Sequence, residues 1–256
     1  EIVNKAKTAL KNHEFVVYYQ PKIELKTDTL VGAEALVRWK KPDGTIVRPD
    51  KFIPYLERNG FIVNVDFYVY EEVCKFIRAH LDAGKKIVPI SVNVSRVHLK
   101  DPDFLKIVNG IISKYRIPSD LIEFELTESV FLENQNAAIQ TMDELKKLGY
   151  LVSIDDFGSG FSSLNLLKNL PVDILKIDKE FLSNGSNFNS NDGIVVSSII
   201  NMANKMKISV ICEGVETEEQ VNFLRANNCD MVQGFFFARP IPENEFDSYA
   251  EKKLGE

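Results

Sequence analysis

The sequence predicts an α/β chain folded as one (β/α)8 barrel, and three observations carry that reading. Short β-branched or apolar runs recur, each followed by a stretch at helical spacing; polar residues stand at the C-terminal end of every run; and 256 residues is the length that one such barrel uses. The runs are Phe15–Gln20, Leu30–Trp39, Ile87–Val94, Leu121–Thr127, Leu151–Asp155, Ile174–Ile177, Ile208–Cys212 and Asp230–Gly234.

Helix signals fall between those runs. Ile2, Ala6, Ala9 and Leu10 share one face of an N-terminal helix. Val65, Val69, Val73, Phe76 and Ile77 make the apolar stripe of a helix from Val65 to Leu81 that ends near Gly84. Asp101 followed by Pro102 predicts a capped helix running to about Tyr115. Thr217 with Gln220 three residues later predicts a capping box after the seventh strand. Ser183–Gly193, rich in Asn, Ser and Gly, reads as a mobile surface loop.

Composition narrows the function. A formal net charge of −6, with 45% hydrophobic and 27% charged residues, describes a globular chain with no basic face for a DNA or RNA polymer. No apolar run reaches the roughly 18 residues of a membrane helix, and no signal-peptide pattern precedes the first run, so we expect a cytoplasmic location. Cys74, Cys212 and Cys229 lack metal-type spacing and read as core thiols of a reducing compartment. We read residues 1–256 as one domain; the missing initiator Met predicts a piece of a longer chain.

The polar residues nearest the strand ends are Gln20, Glu34 with Arg38, Asn93, Glu125, Asp155 with Asp156, Lys176 with Asp178, Glu213 and Gln233. In a barrel those ends surround one mouth, where active sites of this fold lie. Residues two apart on a strand share a face, so Glu34, Leu36 and Arg38 point together, as do Glu123, Glu125 and Thr127, and Lys176 and Asp178. Asp155 and Asp156 can serve one site only if the chain turns there, a turn assigned to Gly158 and Gly160. Each pair of like charges about 4 Å apart costs roughly 4 kcal/mol at an effective dielectric of 20. One Lys and one Arg cannot offset so many acids. Either several carboxylates stay protonated or divalent cations bind. Oxygen-only donors select Mg²⁺ or Mn²⁺ over zinc, and two ions about 3.5–4 Å apart, bridged by Asp155, would suit in-line attack of water on a phosphodiester.

The motifs in which these residues stand resemble those of one family. Glu34-Ala35-Leu36 lies inside EALVRW, and around it are YQP (Tyr19–Pro21), NVS (Asn93–Ser95), ELTE (Glu125–Glu128), DDFGSGFSSL (Asp155–Leu164), KID (Lys176–Asp178), EGVE (Glu213–Glu216) and QGFFFARP (Gln233–Pro240). Together, from about His13 to Phe246, they resemble the EAL family of cyclic di-GMP phosphodiesterases. The resemblance implies a modified TIM barrel whose first strand runs antiparallel, a homodimer, and hydrolysis of cyclic di-GMP to linear pGpG with Mg²⁺ or Mn²⁺. Glu34, Asn93, Glu125 and Asp155 then look like ligands of one ion, and Asp155, Asp156 and Glu213 like ligands of a second. Lys176 resembles the residue that orients or deprotonates the catalytic water. Gln20, Leu36, Arg38, Asn93 and Gln233 resemble substrate contacts or residues that order the site. Glu128 resembles the anchor of the loop from Asp156 to Ser163 that couples the dimer interface to the site; Asp178 resembles the site partner of Lys176, and Glu216 resembles a site-supporting glutamate. Ser159 and Phe161 replace the family's more frequent Thr and Tyr, and Cys212 stands where Ala is common. The resemblance also implies an upstream GGDEF or sensory domain.

Two other functions compete. A receptor of the same family would hold the dinucleotide without cleaving it, but such receptors lose ligands or the lysine, and none is missing. An aldolase could use Lys176 as a Schiff-base nucleophile, although surrounding acids keep such a lysine protonated. Glu123 points inward by parity, yet a buried pair with a basic residue explains it equally well. Trp39 and Phe235–Phe237 read as packing before base stacking.

Overall fold

Eight strands close into a barrel in the computed structural model, which describes residues 2–158, 167–168, 170–182 and 191–254. They are β1 (Phe15–Glu24), β2 (Thr29–Lys40), β4 (Ile90–Asn93), β5 (Ile122–Thr127), β6 (Leu151–Phe157), β7 (Ile174–Ile177), β8 (Ser209–Cys212) and β9 (Met231–Val232). Two short strands flank them: β3 (Ile46–Val47) pairs with β2, and β10 (Ile241–Pro242) with β1. From β2 through β9 neighbours run parallel, whereas β1 is antiparallel to both β2 and β9. The expected reversal of the first strand is therefore present. A two-stranded hairpin, β1–β2, replaces the first crossover unit.

All eight predicted runs contain strands; Ile174–Ile177 coincides with β7, and the others have shifted ends. β1 continues four residues past Gln20, carrying Pro21 and Lys22 within the ladder. β4 begins at Ile90 and β9 covers only Met231–Val232.

Helices α1 (Ile2–Lys11), α2 (Ile53–Arg58), α3 (Ile62–Asp82), α4 (Phe104–Lys114), α5 (Val130–Lys147), α6 (Asn191–Met206), α7 (Glu218–Ala226) and α8 (Glu243–Leu254) accompany the sheet. On α3 the predicted stripe is buried, with Val65, Val73 and Ile77 fully so. Alternation on β5 shows how the two layers meet. Phe124 turns outward onto Tyr70 of α3 and onto Tyr150, with ring centroids 5.9 and 5.3 Å apart, while Glu123 and Glu125 turn inward. Burying a phenylalanine this way contributes about 1.5–3 kcal/mol.

Two expectations need correction. The Asp101 carboxylate accepts the Asp103 backbone N–H at 2.9 Å, forming a turn of its own, so helix α4 starts at Phe104 instead of Pro102. The segment read as a surface loop ends at its last three residues: Asn191–Gly193 already belong to α6, and 183–190 lie outside the described residues. The capping box forms as expected, with Thr217 Oγ1 accepting from Gln220 N and Gln220 Oε1 accepting from Thr217 N.

Glycines mark where the backbone must come close. A Cβ on Gly234 would sit 2.1 Å from the Val215 carbonyl oxygen, where Val215 N donates to Gln233 O and Phe236 N to Val215 O. On Gly110, in the middle of α4, it would meet open space. Opposite effects on stability are expected. Gly110→Ala should gain about 0.5–1 kcal/mol from helix propensity, and Gly234→Ala should lose about 1–3 kcal/mol from overpacking. Urea unfolding of both variants decides: equal midpoints would contradict the close approach at Gly234.

Candidate active site

Strand parity brings predicted acids from four strands to one lysine on a fifth. Lys176, on β7, is fully buried, and its Nζ lies 2.6 Å from Glu125 Oε2, 2.8 Å from Glu213 Oε1, 3.0 Å from Asp155 Oδ1 and 3.4 Å from Glu34 Oε2. These partners come from β5, the end of β8, β6 and β2. Burial lowers the Lys176 pKa, but those four carboxylates outweigh it and hold the pKa well above the ordinary lysine value.

Amides hold both oxygens of Glu34. Asn93 Nδ2 donates to Oε1 at 3.0 Å, and Gln233 Nε2 donates to Oε2 at 2.6 Å and to Gln20 Oε1 at 3.0 Å. Gln20 in turn donates to the Ala238 carbonyl. Tyr70 Oη holds the Asn93 carbonyl at 2.9 Å, which steadies the end of β4.

Asp156 joins Asp155 because the backbone turns at Asp156 itself, with φ 54°, where the β6–β7 register also shifts. The glycine-driven turn expected beyond it is thus partly misplaced: Gly158 adopts φ 97°, but the reversal of side-chain direction precedes it, and Gly160 lies outside the described residues. Asp155, Asp156 and Glu213 present ligand atoms all within 4.8 Å of one another. Burial, with the charges of Asp155 and Asp178, pushes the Asp156 carboxyl up to about 7. Burial also pushes Glu213 to about 8, against the pull of Lys176. This donor set consists of carboxylate oxygens alone, crowded enough to favour protonation, and it fits a hard divalent cation.

A family model described as the EAL domain matches residues 3–240. The chain belongs to the EAL family. The domain is 37% identical over 241 residues to the signaling protein YkoW of Bacillus subtilis, covering 94% of this chain and 30% of YkoW. It is 34% identical over 246 residues to MucR of Pseudomonas aeruginosa, a bifunctional diguanylate cyclase/cyclic di-GMP phosphodiesterase, covering 96% of this chain and 36% of MucR. The chain therefore spans about a third of the length of these curated relatives. Among solved structures it resembles the PaMucR phosphodiesterase in its c-di-GMP complex, with TM-score 0.90, 33% identity, and coverage of 96% of this chain and 99% of that one. It also resembles the EAL enzyme Bd1971 bound to cAMP and cyclic-di-GMP, with TM-score 0.89, 32% identity, and coverage of 96% and 67%.

Other expected EAL residues divide between those at the site and those beside it. Glu128 is buried and its Oε2 accepts the Gly158 N–H at 2.8 Å, as an anchor for the following segment would; Ser159, Phe161 and Ser163 lie outside the described residues. Asp178 is buried, with Oδ1 accepting Glu180 N at 2.7 Å and its charge acting on Asp156. The Arg38 guanidinium donates to the Val37 carbonyl and lies over the Tyr18 ring, 5.7 Å from its centroid. Glu216 is exposed, just before α7, and only its backbone N–H is engaged, by Gln220 Oε1. Leu36 lines a cavity of about 540 Å³ beside Glu34 and Asn93, together with Ile53, Tyr70 and Arg96. Trp39 is core, packed on Phe15 and Phe52, while Phe235 is exposed under the Arg239 guanidinium.

One residue escaped the sequence reading. Lys22 is 2% exposed, and its Nζ bridges Glu123 Oε2 at 2.9 Å and Glu125 Oε1 at 2.8 Å. Its signal was parity: Lys22 stands two positions past Gln20, on the same face. It is also the basic partner that Glu123 required.

The raised Asp156 and Glu213 pKa values set a pH dependence. In the unfolded chain both carboxyls titrate at ordinary values near 4, so between there and about 8 the folded state holds more protons, and stability falls as pH rises. Chelator-treated domain should therefore unfold at lower urea at about pH 8.5 than at about pH 6, and Glu213→Gln should shrink the difference. A midpoint that rises with pH over that range would contradict the crowding.

Proposed function

We propose that this EAL domain hydrolyses one phosphodiester bond of cyclic di-GMP to linear pGpG, with two Mg²⁺ or Mn²⁺ ions as cofactors. The observation that carries the reading is the convergence of Glu34, Glu125, Asp155 and Glu213 on Lys176, with Asp156 brought alongside by its turn. The likeness to PaMucR, a phosphodiesterase in complex with c-di-GMP, supports the substrate.

Asp155, Asp156 and Glu213 would hold one ion, and Glu34, Asn93, Glu125 and Asp155 the other. Bound there, divalent ions would neutralise the acids, polarise a phosphate oxygen and lower the pKa of a water. The protein supplies orientation. Asn93 and Gln233 fix both oxygens of Glu34, so that carboxylate cannot rotate as substrate arrives. Lys176, with its Nζ among Glu125, Asp155 and Glu213, would donate a hydrogen bond to the attacking water and orient it. The cavity next to Glu34 and Asn93 has apolar walls in Leu36, Ile53 and Val69, suited to a flat purine. Arg38, near this mouth, suits a phosphate oxygen. A Schiff-base role for Lys176 fails on the same electrostatics, since a nucleophilic amine must first lose the proton that four carboxylates retain.

We extend the proposal to the rest of the chain's life: a cytoplasmic homodimer joined to a cyclase or sensory domain. MucR, bifunctional by name and nearly three times the length matched, supports the multidomain part. No helix among the described residues is long and apolar enough to cross a membrane.

Purified domain should convert cyclic di-GMP to pGpG with Mg²⁺ or Mn²⁺ and stop in excess chelator. Glu34→Ala and Lys176→Met should each lower turnover by more than about 100-fold, with the fold retained by circular dichroism. Full turnover in chelator, or tight binding of the dinucleotide without product, would replace this reading with another.

A further inference from the structure

Below the ring of acids at the barrel mouth lies a second polar layer that the catalytic reading leaves unused. Glu123 stands two residues before Glu125 on β5, and Lys22 stands opposite Gly32, two residues before Glu34 on β2. Lys22, Glu123 and Glu125 are all at least nine-tenths buried. A barrel interior filled with side chains would ordinarily be apolar at this depth, and a charged pair there needs a reason beyond stability.

Geometry supplies the reason. The two oxygens of Glu125 are divided between two lysines: Lys176 Nζ takes Oε2 at 2.6 Å from the mouth side, and Lys22 Nζ takes Oε1 at 2.8 Å. Lys22 is itself tethered by Glu123 Oε2 at 2.9 Å. Its aliphatic stem lies over Gly32, where an added Cβ would come within 3.3 Å of Lys22 Cδ. A side chain at Gly32 would thus press on the lysine stem and displace it by a few tenths of an ångström on its way to Glu125.

We propose that Lys22, tethered by Glu123, is a positioning residue for Glu125, pinning Oε1 from below so that Oε2 alone faces the cup where a divalent cation would bind. The proposal rests on the metal-dependent reading above. It extends the usual rule that ligating carboxylates are held by outer hydrogen bonds to a charged group deep in the barrel.

Electrostatics and positioning predict opposite signs, which makes the test sharp. Removing the Lys22 charge takes a cation away from the cup, so charge alone would tighten Mn²⁺ binding in Lys22→Met. Loss of positioning would weaken it. The double variant Lys22→Met/Glu123→Gln removes one charge of each sign and leaves the net charge unchanged, which protects the fold and isolates geometry. Mn²⁺ affinity by calorimetry, alongside urea unfolding of the chelator-treated proteins, reads both. We expect the double variant to unfold near the wild-type midpoint yet bind Mn²⁺ about 10- to 100-fold more weakly. Gly32→Ala, which crowds the Lys22 stem without touching any charge, should weaken binding in the same direction. Wild-type or tighter affinity in the double variant overturns the positioning role alone. A wild-type domain that takes up no Mn²⁺ overturns the metal reading and this proposal with it.

Discussion

Buried carboxylates repel, and this barrel gathers Glu34, Glu123, Glu125, Asp155 and Glu213 within reach of two lysine ammonium groups. Everything else at the mouth follows from how that repulsion is contained. Lys176 takes four of the acids and Lys22 takes Glu123, while Glu125 lies between both and is the acid whose charge is most favoured. Burial works against the Glu125 carboxylate, but the two lysines together hold its pKa well below the ordinary value. Glu34, Glu123, Asp156 and Glu213 are shifted the other way, with burial as the largest cause for each.

Much of this was legible from residue order. Strand parity alone put Glu34, Glu125, Lys176 and Asp155 toward one centre, because a barrel leaves an inward-facing charge nowhere else to go. The reversal of β1 was not legible in that way: nothing in the run Phe15–Gln20 tells parallel from antiparallel, and only the resemblance implied it. Lys22 was missed because Pro21 follows Gln20 and a proline commonly ends a ladder; here the strand passes through it, Pro21 facing Ala33. The turn at Asp156 was placed too late because glycine is the usual bearer of positive φ, whereas aspartate also tolerates that region. Asp101 misled for a related reason, since a short carboxylate caps a turn as readily as a helix.

The amide network shows a second kind of containment. Gln20 and Gln233 carry no charge, so they fix Glu34 without adding to or subtracting from the field at the cup. A lysine in either place would neutralise an acid and weaken the attraction for a cation. Glutamine gives direction without charge, and the two glutamines meet where the first and last strands of the barrel close on each other.

At that junction the barrel is stitched by segments from opposite ends of the domain: Gln233 reaches Gln20 across 213 positions, and Ile23 lies beside Val232. A growing polypeptide delivers β1 to solvent long before β9 has been made, and contacts so distant in sequence are slow to form. Until then one border of the β1–β2 hairpin is open, the type of border through which unrelated chains can join and clump. Lys22 and Glu24 sit on that border, and stray partners pair poorly with a strand bearing such charges. A charge such as Lys22, at the heart of the finished barrel, is of the kind that disfavours such pairing while the border is open.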